Sequence, residues 1–179
     1  MAAILDAAVE LLGDRPDASM ADVAAAAGVV RQTVYAHYDS RAALLSAVAA
    51  RALVRTLAAI AAAELDSGPP EHALERLIDA WWQSVLPHAR VLETLRSDPD
   101  TVTDVHGFHA PVLSQLERLV RRGQLSGAFD AQLPAGWVSA SFLALMHTAA
   151  DEVASGRLPA DDAARALRRS VMRLFGLTV

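Results

Sequence analysis

The sequence predicts an all-α protein of about nine helices, and three observations lead to this prediction. Alanine, the strongest helix former, supplies 38 of the 179 residues. Apolar residues recur every three or four positions along most of the chain, and no strand-like alternation of apolar and polar residues competes with that pattern. The glycines and prolines lie mostly where the helical periodicity breaks.

The first two helices follow from an apolar stripe and from a capping signal. Apolar residues at helical spacing over 4–12 predict a first helix, which Gly13 and Pro16 end. Ser19 followed by Asp22 has the form of a capping box, so a second helix is expected over about 20–27.

A third short helix and a long fourth helix come next. Gly28 ends the second helix, and the third is expected over about 30–36. Asp39 and Ser40 then supply a cap for a fourth helix that runs to about Asp66. The later stripes predict five more helices, over about 74–86, 88–96, 112–120, 134–155 and 159–174.

The composition argues against several classes of protein. Without cysteine there is neither a disulfide framework nor a thiolate metal site, and no terminal segment has the basic flank and apolar run of a signal peptide. Arg51, Arg55, Glu64 and Asp66 interrupt the longest candidate for a membrane span, so no uninterrupted apolar stretch approaches the ~20 residues that a span needs. A cytoplasmic protein is expected.

Charge is distributed unevenly along the chain. The formal net charge is −5, which by itself disfavours a polyanion as partner. From Val29 to Arg55, however, there are four arginines and a single acidic residue, Asp39. This stretch therefore carries a net charge of +3 and the remaining residues carry −8. One short region is therefore basic within an acidic protein, as local binding of nucleic acid requires.

The basic region has the layout of a helix-turn-helix. Two short helices meet at Gly28, which accepts a positive φ in the tight turn that this motif needs. Val23, Val29, Val34 and Tyr38 offer apolar contacts that would hold the pair against the first helix.

Polar residues of the same segment are left to face outward. The predicted DNA-binding residues are Arg31, Gln32, Thr33, Tyr35, His37 and Arg41. The first three fall in the opening turn of the third helix, the part that a recognition helix directs toward base edges in the major groove. The last three lie further out, where they suit phosphate oxygens.

The stretch AAAAGVVRQTVYAHYDSRAALL resembles the DNA-binding segment of the TetR-type (tetracycline-repressor-like) transcriptional regulators. That family shows approximately A-x-x-A-G-V-S-x-x-T-[LI]-Y-x-H-F-x-[SN]-K-x-x-L in this place. The matching residues are Ala24, Ala27, Gly28, Val29, Thr33, Tyr35, His37, Ser40 and Leu44. The final GRLPADDAARALRRSVMRLFG is also similar to a common last-helix segment of these proteins.

Three departures from the family pattern stand out. Val30 occupies a position where the family prefers serine, which caps the recognition helix and can touch a phosphate. Arg41 replaces the usual lysine and changes a point charge into a planar fork. The chain begins Met1-Ala2-Ala3-Ile4 without the basic residues that commonly precede the first helix, so either the affinity for DNA is lower or the natural start lies upstream.

The resemblance implies a homodimeric regulator, most often a repressor, that binds a palindromic DNA operator and is released by a small-molecule effector. It implies a DNA-binding domain over 1–45 and a helical domain over 46–179 that binds the ligand and dimerises. The fourth helix, which follows the DNA-binding region directly, would couple the two functions.

Two surfaces of the larger domain are predicted from its composition. The candidate ligand-binding residues are Trp81, Trp82, Phe108, Leu113, Leu116, Phe142 and His147, and each could equally be plain core. Their chemistry suits a small, largely apolar effector with one or two hydrogen-bonding handles. The dimer is expected through the last two helices, over 137–155 and 160–175, where these residues favour close packing: Ser139, Ala140, Ala144, Ala149, Leu167, Val171 and Leu174.

The alternative is a helical-bundle enzyme or a metal-binding protein that uses His106, His109 and His147. The sequence has no E-x-x-H or H-E-x-x-H metal motif, no G-x-S-x-G, no cysteine nucleophile and no G-x-G-x-x-G phosphate loop. We therefore expect no enzyme, no catalytic or metal residue and no cofactor.

Overall fold

The computed structural model describes residues 2–15, 17–92 and 105–178, and the side chains of all of these except residues 2 and 105–108. Within these ranges the chain forms α-helices and no strand, which confirms the all-α prediction. The described helices are α1 (Ala2–Asp14), α2 (Met20–Ala26), α3 (Arg31–His37), α4 (Arg41–Ala62), α5 (Pro70–Val85), α6 (Val105–Ser126), α7 (Ala135–Ala154) and α8 (Ala160–Leu174).

A short 3-10 turn over Leu86–His88 follows α5, and helical geometry resumes over residues 89–92. The rest of the helix predicted over 88–96 lies outside the described residues. The chain divides into two compact units. The first holds the described residues up to Val54 together with Pro87–Leu92, and the second holds Arg55–Leu86 and the described residues from Val105 onward.

The first unit is built around the faces of α1, α2, α3 and the start of α4. Its core residues are Ile4, Ala8, Leu12, Ala18, Met20, Val23, Ala24, Val34, Tyr38, Leu44, Leu45, Val48 and Val91. Val23, Val34 and Tyr38 are buried as predicted, and Val29 packs partly buried against the same core. Val91 and a hydrogen bond of 3.2 Å from Arg90 Nη1 to the Gly13 carbonyl attach the segment after α5 to this unit.

The turn between α2 and α3 is a Schellman motif. Gly28 has φ +67°, its N–H donates to the Ala25 carbonyl at 3.1 Å, and the Val29 N–H donates to the Ala24 carbonyl at 3.0 Å. Glycine adopts this left-handed conformation without the steric cost that a Cβ would bring. The predicted role of Gly28 in the turn is confirmed.

The second unit packs α5, α6, α7 and α8 around an aromatic cluster. Phe175 stands edge-on to Phe129, with ring centroids 4.9 Å apart, and its centroid lies 6.3 Å from that of Phe142. Gly123 of α6 lies directly against the Phe129 ring, so closely that a Cβ at this position would collide with it. A glycine inside a helix is unfavourable by itself, and here the contact with the ring explains it.

Part of the stripe expected at a dimer interface belongs instead to the core of this unit. Leu167 and Val171 of α8 are buried within the same chain, and so are Ser139 and Ala149 of α7. Apolar spacing identifies the inward face of a helix but does not tell whether its partner is the same chain or a second copy, which is why the sequence prediction chose these residues.

Several helix boundaries differ from those predicted. α5 begins at Pro70, before the apolar stripe that starts at Leu74. α4 ends at Ala62 and not at about Asp66, and Arg76 holds the turn that follows by donating to the carbonyls of Ala63, Glu64 and Ser67 at 2.8–3.0 Å. α6 runs from Val105 to Ser126 and so extends beyond both ends of the apolar stripe over 112–120 that predicted it, with Pro111 inside the helix.

By length and composition, α4 could cross a membrane, since it has 22 residues and a mean hydropathy of 1.7 over its most apolar window. The three arginines of α4, Arg41, Arg51 and Arg55, do not exclude it on these criteria, contrary to the sequence argument. Its apolar face is nevertheless a core face: Leu44, Leu45 and Val48 are buried in the first unit. Arg51 donates to Asp6 at 2.6 Å, so it is paired rather than simply solvated.

Candidate nucleic-acid interface

The helix α3 presents one apolar residue inward and its polar residues outward. Val34 is completely buried in the core of the first unit, which fixes the rotation of the helix. Arg31, Gln32, Tyr35 and His37 are exposed, and Thr33 is half-buried. The predicted DNA-binding residues of α3 are therefore exposed or half-exposed on a helix whose rotation the core beneath it fixes.

Arg31 and Tyr35 form a pair on this surface. The guanidinium carbon of Arg31 lies 5.1 Å from the centroid of the Tyr35 ring, and Nη2 donates to the phenolic oxygen at 3.2 Å. The two residues are one helical turn apart, a spacing at which side chains meet. The sequence prediction gave them separate roles and missed the pair, although the i, i+4 spacing of an arginine and a tyrosine was a signal that could have revealed it.

The other predicted contacts lie at the end of α3 and the start of α4. His37 closes α3, and its exposed ring lies 6.4 Å from the ring of Tyr38. Tyr38 is buried, as expected of a core residue, and burial raises the pKa of its phenol. Arg41 is half-buried, and its Nε donates to the Ala18 carbonyl at 3.4 Å, so it also ties the start of α4 to the segment before α2.

The two helices of the motif are capped differently. At α2 the predicted capping box is present: the Asp22 N–H donates to Ser19 Oγ at 3.2 Å, and the Ser19 N–H donates to Asp22 Oδ2 at 2.8 Å. A further bond from the Ser19 hydroxyl to the Asp22 carboxylate is the largest cause that lowers the pKa of Asp22. At α3 the N-cap is Val30, whose side chain makes no capping hydrogen bond.

In the second unit the structure brings together three of the residues singled out from the sequence. The ring centroids of His109 and His147 are 4.8 Å apart in an edge-on arrangement, and the Trp81 ring lies 6.1 Å from that of His147. Phe142 packs instead toward Phe175.

The remaining candidates of this unit differ in burial. Leu116 is buried, whereas Leu113 and Trp82 are half-buried. The side chains of His106 and Phe108 lie outside the described residues. Within the described part of the chain, no group of three or more His, Asp or Glu side chains is placed to hold a metal ion.

A buried helix-turn-helix core beneath an exposed polar helix, followed by a larger helical unit, defines a class of DNA-binding regulators. Residues 4–48 match the family model described as bacterial regulatory proteins, tetR family. The chain is 33% identical over 159 residues to the HTH-type transcriptional repressor LfrR of Mycolicibacterium smegmatis, covering 86% of this chain and 79% of that relative.

Two further comparisons agree. The HTH-type transcriptional regulator NfxB of Pseudomonas aeruginosa is 30% identical over 161 residues, covering 87% of this chain and 83% of the relative. The crystal structure of LfrR from Mycobacterium smegmatis in complex with proflavine superposes with a TM-score of 0.66 at 30% identity, covering 99% of this chain and 97% of that one. The chain belongs to the TetR family of bacterial transcriptional regulators.

Proposed function

We propose that this protein is a cytoplasmic repressor that binds a palindromic DNA operator as a homodimer and leaves it when a small, largely apolar effector binds. The observation that carries the proposal is the surface of α3, where Arg31, Gln32 and Tyr35 are exposed above the buried Val34. The relative LfrR is itself named a repressor, which supports the direction of regulation.

On DNA, the residues divide by the chemistry of their side chains. Arg31 presents a fork that can donate to the N7 and O6 atoms of a guanine, and Gln32 and Thr33 in the same turn can hydrogen-bond to base edges. His37 and Arg41 suit phosphate oxygens, which position the protein without reading sequence. Tyr35 would act through Arg31, because its ring and hydroxyl hold the guanidinium in place.

A gel-shift titration with the DNA upstream of the protein's own gene tests this proposal. We expect a retarded complex that survives an excess of unrelated duplex, and a weaker complex at higher salt because phosphate contacts release counterions. Replacing Arg31 by Ala should cost ~1 to 3 kcal/mol on the specific site and relax the preference for it. The proposal would be contradicted if unrelated duplex competed for the protein as well as unlabelled upstream DNA does.

The proposed dimer uses the last two helices, but of the residues that the sequence suggested on α7 it keeps only the exposed Ala140 and Ala144, because Ser139 and Ala149 are buried. The solvent-exposed side of α7 carries Trp137, which is 63% exposed, followed at helical spacing by the small residues Ala140, Ala144 and Thr148. A large exposed aromatic residue beside small residues that permit close approach is typical of a self-complementary helix interface.

Light scattering tests the dimer. A mass near twice the 19.0 kDa of one chain is expected at micromolar concentration, and Trp137→Glu should shift it toward the monomer. Leu125→Glu is a matched control, because Leu125 of α6 is also strongly exposed and should leave the mass unchanged. A monomeric wild-type protein would refute the dimer.

The effector is proposed to bind in the second unit beside Trp81, His109 and His147. Aromatic and imidazole rings that lie edge-on and tilted to one another offer stacking surfaces and a few polar edges, which suits a flat, largely apolar molecule. LfrR has been crystallised with proflavine, a planar aromatic compound that is flat like the proposed effector but cationic at neutral pH, and this relationship supports the choice of the first probe.

Proflavine titration, followed by tryptophan fluorescence of a Trp137→Phe variant, tests the effector site. We expect quenching of the remaining tryptophans and a loss of quenching when His147 is replaced by Ala. If proflavine releases DNA, the DNA-bound protein must bind it more weakly by the same factor by which proflavine weakens DNA binding. Quenching that His147→Ala leaves unchanged would contradict the proposed site, and equal affinity with and without DNA would contradict the switch.

We propose no enzymatic activity. Both curated relatives described above are named as regulators of transcription, which supports a binding function over a catalytic one. The cytoplasmic location follows from the same argument, since a repressor must reach chromosomal DNA.

A further inference from the structure

Val30 is an exposed apolar side chain at the tip of the recognition helix. It is 70% exposed, whereas Val29 packs against the core and Val34 is fully buried. Its backbone is held on both sides: the Val29 N–H donates to the Ala24 carbonyl, and the Val30 carbonyl accepts from the Thr33 N–H at 2.9 Å. The isopropyl group is therefore displayed at a fixed place rather than on a loose loop.

In the isolated protein this valine is an unfavourable choice. A β-branched aliphatic residue at an N-cap gives no hydrogen bond to the first turn, and serine, threonine or aspartate there would stabilise the helix. An isopropyl group in water also forgoes the gain of burial. Burial of the side chain in a complex would recover the gain of burial and would offset part of the cost of the missing cap.

We infer that Val30 reads sequence by packing its methyl groups against the C5-methyl of a thymine next to the base contacted by Arg31. The inference rests on the proposed binding of an operator through α3. In the major groove the thymine methyl is the apolar group that a base pair offers to such a side chain, while the other groups are hydrogen-bond donors or acceptors. Against those polar edges the isopropyl group would remove water without replacing its hydrogen bonds, so it would also select against the wrong bases.

Deoxyuridine tests this contact, because it differs from thymidine by the absence of the C5-methyl alone. In a duplex that the protein binds selectively, each thymine of one half-site is replaced in turn, and affinities are measured by fluorescence anisotropy. One position in the wild-type complex should lose about fourfold in affinity, the effect of removing one buried methyl group.

The same series is then measured with Val30→Ala and Val30→Ser. Val30→Ser should bind the thymine and deoxyuridine duplexes nearly equally at that position, and Val30→Ala, which keeps only the Cβ methyl, should bring the ratio below fourfold. The readout is the ratio of the two affinities, because serine could add a phosphate contact and change the affinity for both duplexes. Val54→Ala is the matched control, since Val54 is 66% exposed on α4, and it should keep the fourfold ratio.

The results separate the inference from the proposed function. The inferred contact is wrong if the protein binds the duplex selectively but no deoxyuridine weakens the wild-type complex. It is also wrong if Val30→Ala keeps the wild-type ratio of affinities. In both cases the proposed binding of an operator through α3 still stands. If the wild-type protein binds no duplex selectively, the proposed function fails and the inference fails with it. A melting temperature of Val30→Ser at or above that of the wild type would show that the variant is folded.

Discussion

Removing the Tyr35 ring should weaken DNA binding because Arg31 is then no longer held in place, and not because Tyr35 itself contacts DNA. In the free protein the guanidinium lies over the ring and donates to its hydroxyl at 3.2 Å. An arginine side chain loses up to ~2 kcal/mol of rotamer entropy when it is fixed, and a side chain that is already held loses less of it on binding.

The size of the effect follows from the contacts. An exposed cation–π contact contributes about 0.5 to 1 kcal/mol. A hydrogen bond to a charged group contributes ~1.5 to 3 kcal/mol in general, and much less where both partners are solvated, as here. We therefore expect Tyr35→Leu to weaken binding to the operator by about 1 kcal/mol, or roughly fivefold, and Tyr35→Phe, which keeps the ring, to lose less.

A double-mutant cycle by fluorescence anisotropy measures this coupling. Tyr35→Leu is compared in the wild-type and Arg31→Ala backgrounds, on the operator and on a duplex with the base contacted by Arg31 exchanged. The loss caused by Tyr35→Leu should disappear in the Arg31→Ala background. An equal loss in both backgrounds would refute the reasoning and would assign Tyr35 a direct contact with DNA.

Three further substitutions test the fold by thermal or denaturant unfolding. Gly28→Ala should cost about 1 to 2 kcal/mol purely through the positive φ, since an added Cβ would meet no atom within 4 Å, and an unchanged stability would contradict the left-handed turn. Gly123→Ala should also destabilise, because displacement of the Phe129 ring at ~1 to 3 kcal/mol outweighs the ~0.5 to 1 kcal/mol that alanine gains inside a helix. Ser19→Ala should cost ~1 kcal/mol of stability at pH 7 through loss of the cap. The lowered pKa of Asp22 gives a stabilising contribution that is present above the ordinary pKa of 3.8 and is lost as the pH falls through the folded-state pKa. The variant lacks this contribution, so its stability should fall less in acid than that of the wild type. A cost of Ser19→Ala that stays the same as the pH is lowered until Asp22 is protonated would contradict the hydrogen bonds between Ser19 and the Asp22 carboxylate.

Local signals in the sequence were sufficient to predict the helix-turn-helix region formed by α2 and α3. The capping box at Ser19, the positive φ of Gly28 and the burial of Val34 each depend on residues within a few positions, so a single sequence is enough to identify them. The turn after α4 could not be predicted in this way. It is held by Arg76 and by Arg122, which donates to the carbonyls of Leu65 and Gly68 from more than 50 positions away in sequence.

The stripe on α8 shows a second limit. Leu167 and Val171 repeat at the spacing expected of an interface, but they are buried within the same chain, where α8 packs against α7. Apolar periodicity does not distinguish these two cases. The aromatic candidates have the same ambiguity: Trp81 meets His147, while Phe142 meets Phe175, and all four have the composition of either a ligand wall or a core.

Selection from a random duplex library measures the central claim most directly, because it requires no knowledge of the operator. The wild-type protein should enrich a two-fold symmetric motif whose half-sites lie one helical turn, ~34 to 36 Å, or more apart. Arg31→Ala should enrich a motif that has lost information at one base pair of each half-site and keeps the rest. Enrichment of no motif by the wild-type protein, or of identical motifs by both proteins, would contradict the account of α3 as a recognition helix.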